Sequence, residues 1–437
     1  RLRRELGIPG AVGLGLSSII GTGVFVSIGL GAQIAGPGGV LVAIAIACFT
    51  ATCNALNSAQ LAAAYPVSGG TYEYAYRLLH PLVGFTAGWT FLCAKTASGA
   101  SAAVGFASYL LSLSDGHLFK PDPRNNPASP PAYSLLLTIG LGLIVCLTTI
   151  VALGIRLSNR TNWGILSVTL SSLVFFSIAG LAHAHKLANP WQSVTNPDRA
   201  PLLNILEASG IMFVAFTGYG RVATLGDDVR QPRVTIPKAI VTTLIISGAL
   251  YILVGAAAVL AAGSVLDLAP TPGIAPLAVV AMRAFTSVPP SVSGTILALG
   301  AMAAMAGVLL NLVLGLSRMI LAMARRGDAP PVFAKVHAGN GSPIPAVLLM
   351  GVLLVLTVVV TRGEVKLAWT FSAVTVLIYY AICNVAAVCM PEEKRRFSKA
   401  WGYAGTIVCL GLAAFIDATT WMYAGIVIGA GLLWHVV

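Results

Sequence analysis

The chain has 437 residues, of which 57% are hydrophobic and only 9% charged, with a formal net charge of +12. Soluble domains carry roughly 25% charged residues, so this composition excludes a soluble globular protein and points to an integral membrane protein. The basic balance does not point to nucleic acid, because no basic patch interleaved with aromatic residues is visible.

Apolar runs long enough to cross a bilayer recur along the chain. Twelve are expected, at about 8–35, 38–64, 82–113, 132–153, 162–184, 203–226, 238–263, 292–324, 343–361, 366–390, 400–416 and 418–437. The first is too long and too rich in glycine for a cleaved signal peptide. It holds Ser-Ser-Ile-Ile-Gly-Thr-Gly-Val-Phe at 17–25. Glycine is a poor helix former, so Gly21-Thr22-Gly23 predicts an interruption near mid-span, or else close helix packing of the small-xxx-small type.

The second run carries Asn54, Asn57 and Gln60, three apart on one face, which predicts interhelical hydrogen bonds. In the third, Lys95 stands mid-span in "FLCAKTASGAS". An intramembrane charge is costly and marks a functional candidate. Lys95 is read as a proton-coupling group, as a reader of an acidic substrate, or as a structural cation bonded to the carbonyls of a broken helix. The outward linker "SDGHLFKPDPRNNPASPPAY" is a Pro-rich surface loop.

The sixth run contains Ala215-Phe216-Thr217-Gly218-Tyr219-Gly220-Arg221, a second mid-span Gly-x-Gly. Matched interruptions in corresponding spans of two halves point to a transporter binding site. Backbone freed from a membrane helix must find other partners. The N–H groups beginning the half-helix near Gly23 suit a carboxylate, and carbonyls at half-helix ends suit an ammonium. Glu207, near the outer end of this run, is expected to face a water-filled vestibule. Arg221 is expected to pair with Asp227 or Asp228 as an inner gate, or to meet substrate. In the eighth run Arg318 is expected to form a structural ion pair. Asn311 is the one polar residue inside "ILALGAMAAMAGVLLNLVLGLSR", which offers no adjacent hydroxyl pair for sodium.

Positive charge divides unevenly between alternate loops. One set holds the clusters Arg1-Arg3-Arg4, Arg230-Arg233-Lys238, Arg325-Arg326 and Lys394-Arg395-Arg396; the other holds isolated residues such as Lys120, Lys186 and Arg283. By the positive-inside rule both termini are expected in the cytoplasm and the basic loops on anionic lipid, at the cell membrane. All seven cysteines lie within apolar runs and read as small packing residues, so no disulfide-linked partner subunit is expected. No GxSxG, HExxH, P-loop or metal-ligand cluster is present; neither an enzyme, a cofactor nor a bound metal is expected.

"SSIIGTGVF", "YPVSGGTYEYAYRLL" at 65–79, "AGW" at 87–89, "AFTGYGRVATLGDDVRQPRVTIPKAI" at 215–240 and "GLSRMILAMARRGDAPPVFAKVHAGNGSPIPAVLL" at 315–349 together resemble the amino acid–polyamine–organocation transporters, in that family's order and over nearly the whole chain. The resemblance implies an all-α membrane protein of 12 transmembrane helices with the leucine-transporter-like fold. Its two inverted five-helix repeats would occupy residues 1–190 and 191–392, with helices 1 and 6 broken and a peripheral pair at 393–437.

By that resemblance the carboxylate of an amino-acid substrate would contact the backbone of Gly21, Thr22 and Gly23. The ammonium would contact carbonyls of Ile20, Val214, Ala215 and Thr217, beside Phe216. The resemblance also exposes departures. Val214 stands where many relatives place an aromatic gate, which leaves Phe213 or Phe216 to compensate. Thr169 and Ala94 replace the usual helix 5 lysine and helix 3 glutamate. Lys95, Thr169, Ser17 and Arg221 are therefore candidates for coupling or selectivity. The implied activity is secondary amino-acid transport by alternating access. A polyamine or organic-cation carrier and a non-transporting amino-acid sensor are the alternatives, and the absence of mid-span acids favours the amino acid.

Overall fold

The computed structural model describes residues 7–66, 69–113, 130–154, 159–184, 191, 195, 197–223, 229, 231–262, 275–337 and 341–436. These residues fold as packed helices. Helix α1 (Ile8–Ile19) starts with a proline in its first turn, where the missing N–H costs nothing. It stops because Ile20 is extended, with φ −78° and ψ 103°. A single turn, α2 (Thr22–Phe25), follows, and Val26 with φ −123° separates it from α3 (Ser27–Ala64).

α3 is two helices in one trace. Gly36 has φ 79° and ψ 168°, and Pro37 follows it. A left-handed glycine and a residue without an N–H are both needed to turn the chain so sharply. α4 (Thr71–Leu78) is a short polar helix, and α5 (Pro81–Ser112), α6 (Pro130–Ala152) and α7 (Asn159–Ala182) are long. α8 (Pro201–Phe216) tightens into a 3₁₀ turn at Thr217–Tyr219 and continues as α9 (Gly220–Ala223).

The remainder comprises α10 (Pro232–Ala262), α11 (Pro276–Ala284), α12 (Pro290–Arg326), α13 (Ile344–Val360), α14 (Val365–Val388), α15 (Lys399–Ala414) and α16 (Ala418–Val436). Gly327, with φ 100°, caps α12 in the left-handed conformation favoured by glycine.

Among the described residues seven helices are long and apolar enough to cross a membrane, and α15 with α16, bent by 115°, would add one more. α3 packs on α8 and α10, while α5 packs on α12 and α14. Residues of α1, α5, α8, α12 and α14 line one interior volume. Large apolar side chains such as Val145, Ile178, Ile245 and Val360 face outward, as lipid-facing helix surfaces require.

The expected hydrogen-bonding face on α3 is present. Asn57 Nδ2 donates to Asn384 Oδ1 at 2.9 Å, Asn384 Nδ2 donates to Asn54 Oδ1 at 2.6 Å, and Gln60 Nε2 donates to Asn57 Oδ1 at 3.0 Å. The network ties α3 to α14.

Candidate functional site

At the first interruption the helical ladder stops and restarts. Ile20 N–H still donates to Leu16 O at 2.8 Å, and the next bonds are Val24 and Phe25 N–H to Gly21 O, at 3.1 and 3.3 Å. No described backbone bond is donated by the Gly21, Thr22 or Gly23 N–H. The Thr22 hydroxyl is buried and also lacks a partner among the described residues.

The second interruption lies directly against the first. A Cβ on Gly218 would collide with the Ser18 carbonyl of α1, and one on Gly23 would sit 2.6 Å from Ala215 Cβ. One on Gly21 would sit 2.6 Å from Val308 Cγ2. Protein atoms fill the space beside these three glycines, so their missing side chains serve helix packing. Tyr251 of α10 bridges the two segments: its hydroxyl donates to Ile19 O at 2.8 Å and lies 3.1 Å from Ala215 O. The bridge supplies partners to carbonyls near both interruptions.

A cavity opens beside this junction. Ser18, Ile19, Thr22 and Gly23 line one wall. Val214, Ala215, Thr217, Gly218 and Arg221 line a second. From α5, Phe91, Lys95 and Ser98 face it at i, i+4 and i+7, one helical stripe. Asn311, Gly315 and Arg318 of α12 face it at the same spacing, and α14 adds Trp369 and Tyr379.

Lys95 is 6% exposed. Its Nζ donates to Thr217 Oγ1 at 2.6 Å, lies 3.4 Å from Thr217 O and stands 5.9 Å from the Phe91 ring centroid. Thr217 Oγ1 in turn donates to Val214 O at 2.7 Å. A cation on α5 thus ends on the interrupted segment after α8. The Thr217 carbonyl also accepts from Tyr380 at 3.3 Å, so two of the carbonyls expected to meet an ammonium already have protein partners, and the Ala215 carbonyl has Tyr251.

The other sequence candidates divide. Thr22, Gly23, Val214, Ala215, Thr217, Lys95 and Arg221 reach the cavity, whereas Ile20, Gly21, Phe216, Ser17 and Thr169 do not line it. Phe216 packs its ring 4.8 Å from that of Tyr251, and Phe213 packs 5.6 Å from Tyr380. Neither supplies the aromatic missing at Val214. Trp369 takes that wall instead, held by its Nε1 bond to Ile211 O at 3.1 Å. Thr169 bonds within α7 to Ile165 O at 3.0 Å and across to Gly300 O at 3.3 Å.

Arg221 lies over α12, its Nη1 3.6 Å from where a Gly315 Cβ would stand. Asp227 and Asp228, expected to pair with it, fall outside the described residues. Glu207 is buried and paired with Arg199, so the expected open vestibule position is replaced by a closed ion pair. Asn311, Trp369, Tyr379 and Ser98 were not expected at the site. The α12 stripe was the available signal: a single asparagine in an apolar helix, one turn before a glycine and two before an arginine.

A second polar cluster fastens α4. Tyr72 and Tyr76 hydroxyls both donate to Asp328 Oδ2, at 2.5 and 2.6 Å, and Arg326 pairs with Glu73 at 2.6 Å. His435 of α16 lies 3.4 Å from Asp328 Oδ1. Burial first, then the Asp328 hydrogen bond, pushes both phenols above their ordinary range. They therefore remain donors at neutral pH. Gly69, next to α4, lines the cavity together with Arg318 and Met319, so this clasp borders one end of it.

Comparisons with known proteins agree with this architecture. The sequence profile of the amino acid permease family matches residues 10–434. An uncharacterized transporter of Mycobacterium tuberculosis is 34% identical over 436 residues, covering 99% of this chain and 90% of that protein. The branched-chain amino acid permease BcaP of Bacillus subtilis is 29% identical over 424 residues, covering 94% and 86%. Cationic amino acid transporter 4 of Mus musculus is 28% identical over 398 residues, covering 86% and 60%. A profile match over nearly the whole chain, on a helical protein with seven helices long and apolar enough to cross a membrane among the described residues, places the chain in the amino acid permease family of the amino acid–polyamine–organocation superfamily.

Proposed function

We propose that this permease is a secondary transporter that moves amino acids across the cell membrane by alternating access. The carrying observation is the cavity where the α1–α2 and α8–α9 interruptions meet, lined by Thr22 and Gly23 on one side and Val214, Ala215 and Thr217 on the other. Interrupted helices at a cavity are the arrangement in which freed backbone groups become ligand contacts. In this reading the substrate carboxylate meets the unbonded N–H groups of Gly21, Thr22 and Gly23 and the Thr22 hydroxyl. The ammonium meets carbonyls on the same junction; Val214 O already accepts from Thr217, which leaves Ile20 O the freest of them.

The topology that goes with this reading has 12 transmembrane helices, broken helices 1 and 6, inverted repeats at 1–190 and 191–392, and peripheral helices after 393. Both termini are cytoplasmic. The cavity extends towards Gly69, Arg318 and Met319, the side where basic loops cluster, which supports an inward-facing state. Among the described residues no carboxylate lines the cavity, which argues against a polyamine.

The test is uptake of a labelled amino-acid panel into proteoliposomes, with and without the same unlabelled amino acids inside. Saturable uptake of at least one member, absent from protein-free vesicles, is expected. Folded protein that moves none of them overturns the reading.

A further inference from the structure

We infer that the permease selects amino acids whose side chain is anionic, of the glutamate and aspartate class, with Lys95 as the residue that reads the side-chain charge. This rests on the cavity being the substrate site. The first observation is the situation of Lys95. It is buried on a mid-span turn of α5, and its described partners, Thr217 Oγ1 and the Thr217 carbonyl, are both uncharged. No carboxylate lines the cavity among the described residues.

An ammonium out of water needs a counter-charge to offset its desolvation. It carries three donors, and the short bond to Thr217 Oγ1 takes one of them. A zwitterion with a neutral side chain brings no net charge. A cationic side chain adds repulsion. An amino acid with an anionic side chain brings the missing counter-charge, and it alone among the three classes neutralises Lys95.

The second observation is independent of charge. Asn311 is 6% exposed, lines the same cavity, and its Nδ2 has no partner among the described residues. An unmatched buried donor is rare in folded proteins, and a carboxylate oxygen satisfies it. Asn311 stands on α12, which packs beside the α5 helix that carries Lys95 and Ser98, and all three residues line the cavity. Thr217, held between Lys95 Nζ and Val214 O, fixes the ammonium in place.

The discriminating experiment uses wild-type protein in proteoliposomes and compares isosteres: labelled L-glutamate against L-glutamine, and L-aspartate against L-asparagine, with L-leucine and L-arginine in the same panel. Size is matched within each pair, so the ratio reports charge. Each acid is expected to be taken up at least tenfold faster than its amide, and the ratio is expected to fall towards one in Lys95→Met. Amides, leucine or arginine carried in preference to the acids would overturn the inference while leaving the transporter reading intact. A ratio that Lys95→Met leaves unaltered would overturn the role of Lys95. Uptake of no amino acid at all would overturn the transporter reading itself. If Lys95→Met does not fold, the wild-type ratios alone decide the substrate class, and Asn311→Leu, expected to lower the acid-to-amide ratio, provides the second variant.

Discussion

Lys95 and Thr217 are 122 positions apart in sequence and 2.6 Å apart in the fold, the ammonium of α5 resting on the hydroxyl of the interrupted segment after α8. The same hydroxyl donates onward to Val214 O, so the ammonium, the hydroxyl and the carbonyl form one chain.

Thr217→Val keeps the shape of residue 217 and removes the hydroxyl. A hydrogen bond to a charged group contributes about 1.5–3 kcal/mol, and a loss of that size is expected in the apparent stability of the detergent-solubilised protein. Combined with Lys95→Met, the two losses should be clearly less than additive, because each removes the same bond. Additive losses would show that the pair does not act as a unit.

Gly23→Ala puts a Cβ 2.6 Å from Ala215 Cβ. Overpacking of this kind costs about 1–3 kcal/mol, and a lower melting temperature is expected. Adding Ala215→Gly removes the closest contact but leaves the Ala215 Cα at 2.8 Å and the Tyr251 hydroxyl at 3.0 Å, and should recover only part of the loss. Failure of that rescue would mean that Gly23 is needed for something other than its fit against α8.

Tyr251→Phe leaves the ring and removes the hydroxyl shared between Ile19 O and Ala215 O. A buried polar group left unmatched costs about 1–3 kcal/mol. The variant should melt lower, and uptake per folded molecule should drop, because both carbonyls flank the cavity. Unaltered stability would show that water replaces the hydroxyl there.

Asp328→Asn removes the charged acceptor shared by Tyr72 and Tyr76. Amide hydrogen exchange in Thr71–Leu78 should quicken by roughly tenfold or more, as loss of about 1.5–3 kcal/mol implies. The phenols are raised in the folded protein, so their contribution is complete below the ordinary phenol range and lost as pH rises through their folded values. Protection of α4 in the wild type is therefore expected to hold from neutral pH into the alkaline range. An exchange rate unaffected by Asp328→Asn would show that Arg326–Glu73 alone holds α4.

Much of the helical architecture is legible because its causes are local. Hydropathy marks where helices are apolar enough to cross a bilayer, and Gly21 and Gly218 are poor helix formers beside which the backbone leaves α-helical geometry. The single charge in the α5 run singles out Lys95, and the three-residue spacing of Asn54, Asn57 and Gln60 gives a polar face whose partner, Asn384, lies on another helix.

The site itself is less legible. Phe216 and Thr169 satisfy a linear alignment, yet the rotation of α8 turns Phe216 onto Tyr251, and α7 packs Thr169 against Gly300. Asn311 and Trp369 join the cavity from helices far along the chain. By itself the sequence determined a helical membrane protein, the lone mid-span lysine and the two glycine sites beside which Ile20 turns extended and Thr217–Tyr219 tightens into a 3₁₀ turn, because propensity and hydropathy act between neighbouring residues. Only the tertiary structure decided which wall each side chain faces and that Lys95 meets Thr217, because helix rotation is set by packing between segments more than a hundred residues apart.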